Sequence, residues 1–303
     1  MIITSPEGES VADRVVIEEH VVSDAGAGPY ALTAGPDGAL WFTLVHAARI
    51  GRFTPGAEVV EFPLDPGSAP TIVVAGPDDA LWFTEYGAHR IGRITTRGEV
   101  TEFPLEHGSG PFGLAVGADG ALWFTESAAD RVGRITVDGE VAGFPLPTAR
   151  AFPSAIAAGP DGALWFTLNQ GNAIGRITLD GAVTTYPLPT GAAAPVGITA
   201  GPGGALWFVE IAAGQVGRIT PDGVVTEFPL ADRAARPHAI TAFGDRCWFT
   251  EWGGNRIGSI TVDGVVTAHD LPSPASEPHG IAPGPDGALW AALETGALAR
   301  VSP

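Results

Sequence analysis

The stretch Gly35-Pro36-Asp37-Gly38-Ala39-Leu40-Trp41-Phe42-Thr43 decides how this chain folds, because close copies of it recur down to the last residues. Its tryptophan returns as Trp82, Trp123, Trp165, Trp207, Trp248 and Trp290, each 41 or 42 residues after the one before. A repeat of this period made of strand-like segments marks a β-propeller, one repeat to a blade. Seven tryptophans predict seven blades.

Each repeat divides into four short strands. In the first, Ala31–Ala34 follows Pro29 and is turned by Pro36-Asp37-Gly38, since Asp-Gly supplies the positive φ angles of a tight hairpin. Leu40–Thr43, Arg49–Thr54 and Val59–Leu64 follow, and Pro63 fits only an edge strand. Further Asp-Gly pairs at 138–139, 180–181, 222–223 and 263–264 join the third and fourth strands of later repeats. After Trp290 there is room for a third strand, Ala297–Val301, but not a fourth. The segment Arg14–Val22 is an unpartnered strand that reads like the fourth strands. It is therefore expected to complete the last blade and remove an open sheet edge. The expectation is an all-β, seven-bladed propeller of four-stranded antiparallel blades, with residues 1–303 as a single domain.

Composition narrows the function. The formal charge is −18, from 34 acidic and 16 basic residues, and every basic residue is arginine. An acidic chain repels phosphate backbones and anionic bilayers, so neither nucleic acid nor a membrane is an expected partner. Without lysine there is no Schiff base and no P-loop. The one cysteine, Cys247, replaces the leucine of the other repeats and reads as core. Met1–Ser10 has neither a basic start nor an apolar stretch, so a cytoplasmic protein is expected, and it is expected to be a monomer.

In a repeat protein what recurs is scaffold, and what departs from the repeat on one face is the candidate site. A proline enters the innermost strand of every unit, at 29, 70, 111, 153, 195, 237 and 278. The residues flanking it are mostly small or apolar until the last two units, where Arg236, His238, Glu277 and His279 stand together. Tyr30 holds the position of the two histidines in unit one, which adjoins unit seven on a ring. Three residues beyond the tryptophan, glutamate recurs as Glu85, Glu126, Glu210 and Glu251. That recurrence reads as structural, satisfying arginine or backbone donors. One residue further, Glu294 is the only acid at its position, and Trp252 is the only tryptophan outside the repeat. The remaining histidines, at 20, 46, 89, 107 and 269, read as structural or solvated.

Two carboxylates, Glu277 and Glu294, suit a hard cation such as Mg²⁺ that keeps several waters. Zn²⁺ would want more histidine or cysteine. A histidine beside them has the intrinsic basicity for proton transfer near neutral pH. These parts describe metal-assisted proton abstraction and metal-assisted hydrolysis equally well. There is no Gly-x-Ser-x-Gly elbow, no His-Glu-x-x-His and no Cys-x-x-Cys.

Over nearly its whole length the sequence resembles the virginiamycin B lyase (streptogramin B lyase) family. The specific segments are Gly28-Pro29-Tyr30, Ala235–Thr241, Trp248–Gly253, Glu277–Ile281 and Leu293-Glu294. The resemblance implies that Glu277 and Glu294 hold Mg²⁺, that His279 is the general base, and that His238 binds substrate with Tyr30 close by; Trp252 is placed with them. It implies a carbon–oxygen lyase that opens a cyclic depsipeptide antibiotic at its ester by elimination. Two departures stand out: Ala31 where the family often has glycine, and Leu168 where glutamate is usual. The alternatives are a non-catalytic ligand- or protein-binding propeller and a metal-dependent lactone hydrolase.

Overall fold

The computed structural model describes residues 15–303. The sequence reading of Met1–Ser10, and of Arg14 as part of a strand, lies outside the described residues. Seven four-stranded antiparallel sheets form seven blades. In blades one to six the strands lie side by side in chain order. Blade one runs Pro29–Ala34, Leu40–Leu44, Arg49–Phe53 and Val60–Pro63. Blade seven has Pro278–Pro283, Leu289–Leu293 and Ala297–Ser302, and its outer strand is Val16–Val21 from the other end of the chain. That pairing runs in register from Val16 opposite Ser302 to Val21 opposite Ala297. The only helical turn among the described residues is Pro202–Gly204. No described helix is long and apolar enough to cross a membrane.

The repeat residues explain the blades. Six of the seven tryptophans are completely buried, and Trp248 nearly so. Burying an indole removes roughly 200 Å² of surface, a gross gain of about 5 kcal/mol before chain entropy is charged against it. The aspartate of the Gly-Pro-Asp-Gly turn does more than make a hairpin. Asp37 Oδ1 accepts the Trp41 indole N–H at 3.0 Å, and its Oδ2 accepts Arg52 Nε at 2.7 Å. Burial works against ionisation of Asp37, but these bonds outweigh it and hold its carboxyl below the usual range. The same triad recurs in blades two, three, four and seven. Gly51 is glycine because a Cβ there would stand 2.2 Å from the Phe42 ring.

Two further devices shape the mouth of the ring. The residue before each entering proline has a positive φ in all seven blades, from 48° at Ala69 to 68° at Gly28. Five of these residues are not glycine, among them Arg236 and Glu277. Immediately after the proline, the pairing of every innermost strand with its neighbour slips by one residue: Pro278 faces Leu293, yet Ile281 faces Ala291. Such a bulge bends the strand and re-aims the side chains it carries. Those carried here are Tyr30, His238 and His279.

The threonine of Trp-Phe-Thr stitches one blade to the next. In blade six, Thr250 Oγ1 accepts the Ala239 N–H and donates to the His279 carbonyl of blade seven at 2.7 Å. Thr43, Thr84 and Thr167 make the same link. Blade seven has Ala292 instead, and there Gly280 lets the backbone of blade one close in: a Cβ on Gly280 would lie 2.7 Å from the Tyr30 carbonyl.

Candidate active site

The bulges of blades one, six and seven bring three rings together. Tyr30 and His238 each lie 4.7 Å from His279, centroid to centroid, and Tyr30 and His238 are 5.7 Å apart. Trp252 flanks them at 6.5 Å from His279, with the Arg236 guanidinium 5.4 Å above its own ring. Beside this cluster, Ile211, Ala212, Arg233, Ala234, Arg236 and Trp252 line an open groove of about 530 Å³. On the axis itself, Tyr30 and His238 join Ile72, Phe112 and Val196 around a small apolar well.

Glu294 is the hub of the polar groups. Its Oε2 lies 2.7 Å from His279 Nε2, and its Oε1 lies 2.7 Å from His46 Nε2. Its main-chain N–H donates to the Glu277 carbonyl at 3.3 Å, so the two acids are neighbours across the innermost strand pair. Partial burial works against ionisation of Glu294. Hydrogen bonds from His46 and His279, with a contribution from the Glu277 carboxyl, outweigh it and hold its pKa down at about 2. Glu294 is therefore a fixed anion at any physiological pH.

The two site histidines differ in kind. His279 is nearly buried and held by a carboxylate. His238 has no carboxylate contact, and its Nε2 meets the Tyr30 hydroxyl at a long 3.4 Å; Nδ1 of both histidines is buried without a partner. Burial first, then the adjacent His279, push the His238 pKa down to about 3. Burial and the charge of Glu294 push the Tyr30 phenol well above its ordinary value. So His238 and Tyr30 are neutral hydrogen-bonding groups, whereas an imidazolium formed at His279 would sit against an anion. Of the two imidazoles, only His279 has a carboxylate beside it to hold an imidazolium; with Nε2 turned to Glu294, Nδ1 is the nitrogen left to accept a proton.

Sequence reasoning thus placed Tyr30, His238, Trp252, Glu277, His279 and Glu294 at one mouth, and the structure brings them there. It discounted His46, whose imidazole meets Glu294. The signal was available one position beyond Glu294's column, where the seven repeats read His46, Gly87, Ala128, Gln170, Ala212, Gly253 and Thr295. Among the described residues no three His, Cys, Asp or Glu side chains converge as for a metal ion. An ion at Glu277 and Glu294 would rest on two carboxylates and water. Glu277 is exposed and Glu294 only partly buried, so the donors are hard, anionic and open to solvent, a set that suits Mg²⁺.

A seven-bladed propeller with a carboxylate-held imidazole at one mouth is the class of protein that fold and site define. Residues 15–301 match the model of the virginiamycin B lyase family, and the chain belongs to that family. A solved streptogramin B lyase superposes with a TM-score of 0.91 at 43% identity, over 95% of this chain and 97% of that one. Virginiamycin B lyase from Staphylococcus aureus gives 0.92 at 40% identity, over 96% of this chain and all of the other. Its catalytically inactive histidine-to-alanine variant, solved with quinupristin, matches equally well. A local match to virginiamycin B lyase of Saccharopolyspora erythraea is 63% identical over 51 residues, spanning 17% of either chain.

Proposed function

We propose that this chain inactivates streptogramin B-type cyclic depsipeptides by eliminating across the ester bond that closes their ring. The observation that carries the reading is the 2.7 Å contact between His279 Nε2 and Glu294, beside a Tyr30 phenol and a His238 imidazole that burial keeps neutral. It is supported by family membership and by the solved streptogramin B lyase of the same fold.

The reaction needs a base for a weakly acidic proton and a site for a departing carboxylate. His279 removes the α-proton of the residue whose side-chain oxygen forms the ester. The electron pair left on Cα forms the Cα–Cβ double bond. The Cβ–O bond breaks, and the carboxylate leaves with its electrons. The product is a linear peptide with a dehydroamino acid and a free carboxylate. Glu294 stabilises the imidazolium and fixes the ring orientation. The Thr250 bond to the His279 carbonyl fixes the backbone beneath it. His238 and the Tyr30 hydroxyl, both neutral, offer hydrogen bonds to substrate carbonyls, and Trp252 offers an aromatic face. Glu277 and Glu294 are the residues that would hold Mg²⁺, which when bound supplies a Lewis acid for a substrate oxygen.

The test is incubation with a streptogramin B, with Mg²⁺ or with EDTA, followed by mass measurement. Elimination leaves the mass unchanged and creates an unsaturated product. A gain of one water, with ¹⁸O from labelled water entering the carboxylate, would mean hydrolysis. No turnover under any condition would leave a binding propeller.

A further inference from the structure

We infer that His46 is a positioning residue of this site, a clamp from blade one that fixes the Glu294 carboxylate of blade seven. The inference deepens the proposed function and rests on that reading. Glu294 has two oxygens and two histidine partners, each at 2.7 Å. One partner, His279, is the proposed base. The other reaches it across the seam where the ring closes. Held at one oxygen only, a glutamate side chain keeps its rotational freedom; held at both, its plane is set. A carboxylate has about four lone-pair directions. Two hydrogen bonds leave lone-pair directions for further partners.

The local chain is built to present His46. Its own N–H and that of Ala47 both donate to the Ala27 carbonyl, and the preceding N–H of Val45 donates to Gly28. A Cβ on Gly28 would stand 2.4 Å from Cδ2 of the His46 ring, so glycine at that position makes the space the imidazole occupies. No other blade has a histidine at the equivalent position, and the single one faces the single blade carrying an acid in Glu294's column. Stability does not account for the contact. The His46 side chain is 54% exposed, and a pair at that exposure contributes between nothing and about 1 kcal/mol. What the contact does supply is orientation. Partners that orient a metal- or proton-handling group change affinity or activity by about 10- to 100-fold when removed.

The experiment compares the full chain with His46→Ala and His46→Gln, the amide of glutamine restoring a donor of similar reach. Five quantities are read: kcat and KM on a streptogramin B, affinity for Mg²⁺ alone by calorimetry, the imidazole ¹⁵N signals of His279 without metal, and Tm. For His46→Ala we expect kcat about 10- to 100-fold lower with KM nearly unchanged. Mg²⁺ affinity falls, the His279 signals shift or broaden, and Tm moves by no more than about 2 °C. His46→Gln restores most of each loss. Wild-type kcat and His279 signals in His46→Ala would overturn the inference. So would a loss that glutamine does not restore, since His46 would then act by more than donating a hydrogen bond. If the wild type shows no turnover, the functional reading fails, while the His279 signals still decide whether His46 holds Glu294.

Discussion

Blades three and seven place an acid at the end of the same strand, one residue apart, and the two acids do unrelated work. In blade three Glu126 is three residues past its tryptophan and faces inward, almost fully buried. Arg131, directly opposite on the next strand, grips it with two nitrogens, at 3.1 and 2.7 Å. Glu251 is held by Arg256 through one nitrogen, at 2.6 Å, and Glu210 by Gln215. In blade seven the buried position is Leu293, with Ala297 opposite, and the acid is Glu294. Strand side chains alternate faces, so a shift of one residue turns the carboxylate from the core to the mouth. Glu126 is the last residue of its strand and Glu294 the first residue past its own; that one-residue offset separates a structural anion from one at the mouth.

The comparison can be broken most severely on the mouth side. His279→Ala should lower kcat about 10³-fold, the scale of a lost general base, and leave Tm close to that of the wild type; turnover within tenfold of wild type would show that another group takes the proton. Exchanging the two acids' parity is the sharper probe. Leu293→Glu combined with Glu294→Leu should abolish turnover and also cost about 3 kcal/mol, because a buried carboxylate opposite Ala297 has no arginine to meet it. Denaturation that shows the double variant as stable as wild type would mean that blade seven tolerates a core acid unaided.

On the scaffold side the expected effects are thermodynamic. Arg131→Ala strands the buried Glu126 and should cost about 3 kcal/mol, or about 6 °C in Tm, with turnover retained at permissive temperature. The smallest effect is pH-dependent. Burial pushes the Glu210 pKa up to about 7, the Gln215 bond opposing it and Glu227 adding to it. The folded value lies above the unfolded one, so whatever stability Glu210 leaves intact below pH 4.5 is lost as pH rises through 7. Glu210→Gln should match wild type near pH 4 and exceed it at pH 8 by on the order of 2 kcal/mol, about 4 °C. Equal melting at both pH values would contradict a proton held on Glu210.

Much of this was legible because a repeat provides its own control. Seven aligned copies made Trp41 and its equivalents scaffold, made the recurring glutamates partners for arginine or backbone donors, and left Glu277, His279 and Glu294 conspicuous; Glu126 and Glu251 do meet arginine, whereas Glu210 meets Gln215 and neither oxygen of Glu85 has a hydrogen-bond partner. The closing strand was legible too, from a blade short of one element. Three features were not. The residue before each proline was read only for its chemistry, since a residue preceding proline ordinarily prefers extended backbone; its left-handed conformation is imposed by the turn. Asp37 was read as hairpin chemistry, because its bonds to Trp41 and Arg52 depend on where the third strand lies. His46 was set aside as a lone histidine because its partner is 248 residues away and meets it only when the ring is shut.

That last dependence has a consequence for how the molecule acquires its chemistry. The sheet bearing His279 and Glu294 is finished by Val16–Val21, the most distant strand pairing in the chain. Loop-closure entropy makes such a pairing among the latest contacts to be rewarded. One wall of the centre belongs to blade one and the other to blade seven, whose sheet is complete only when the two ends of the chain have met. Catalytic competence in this protein is thus a property of the sealed circle and of no arc of it.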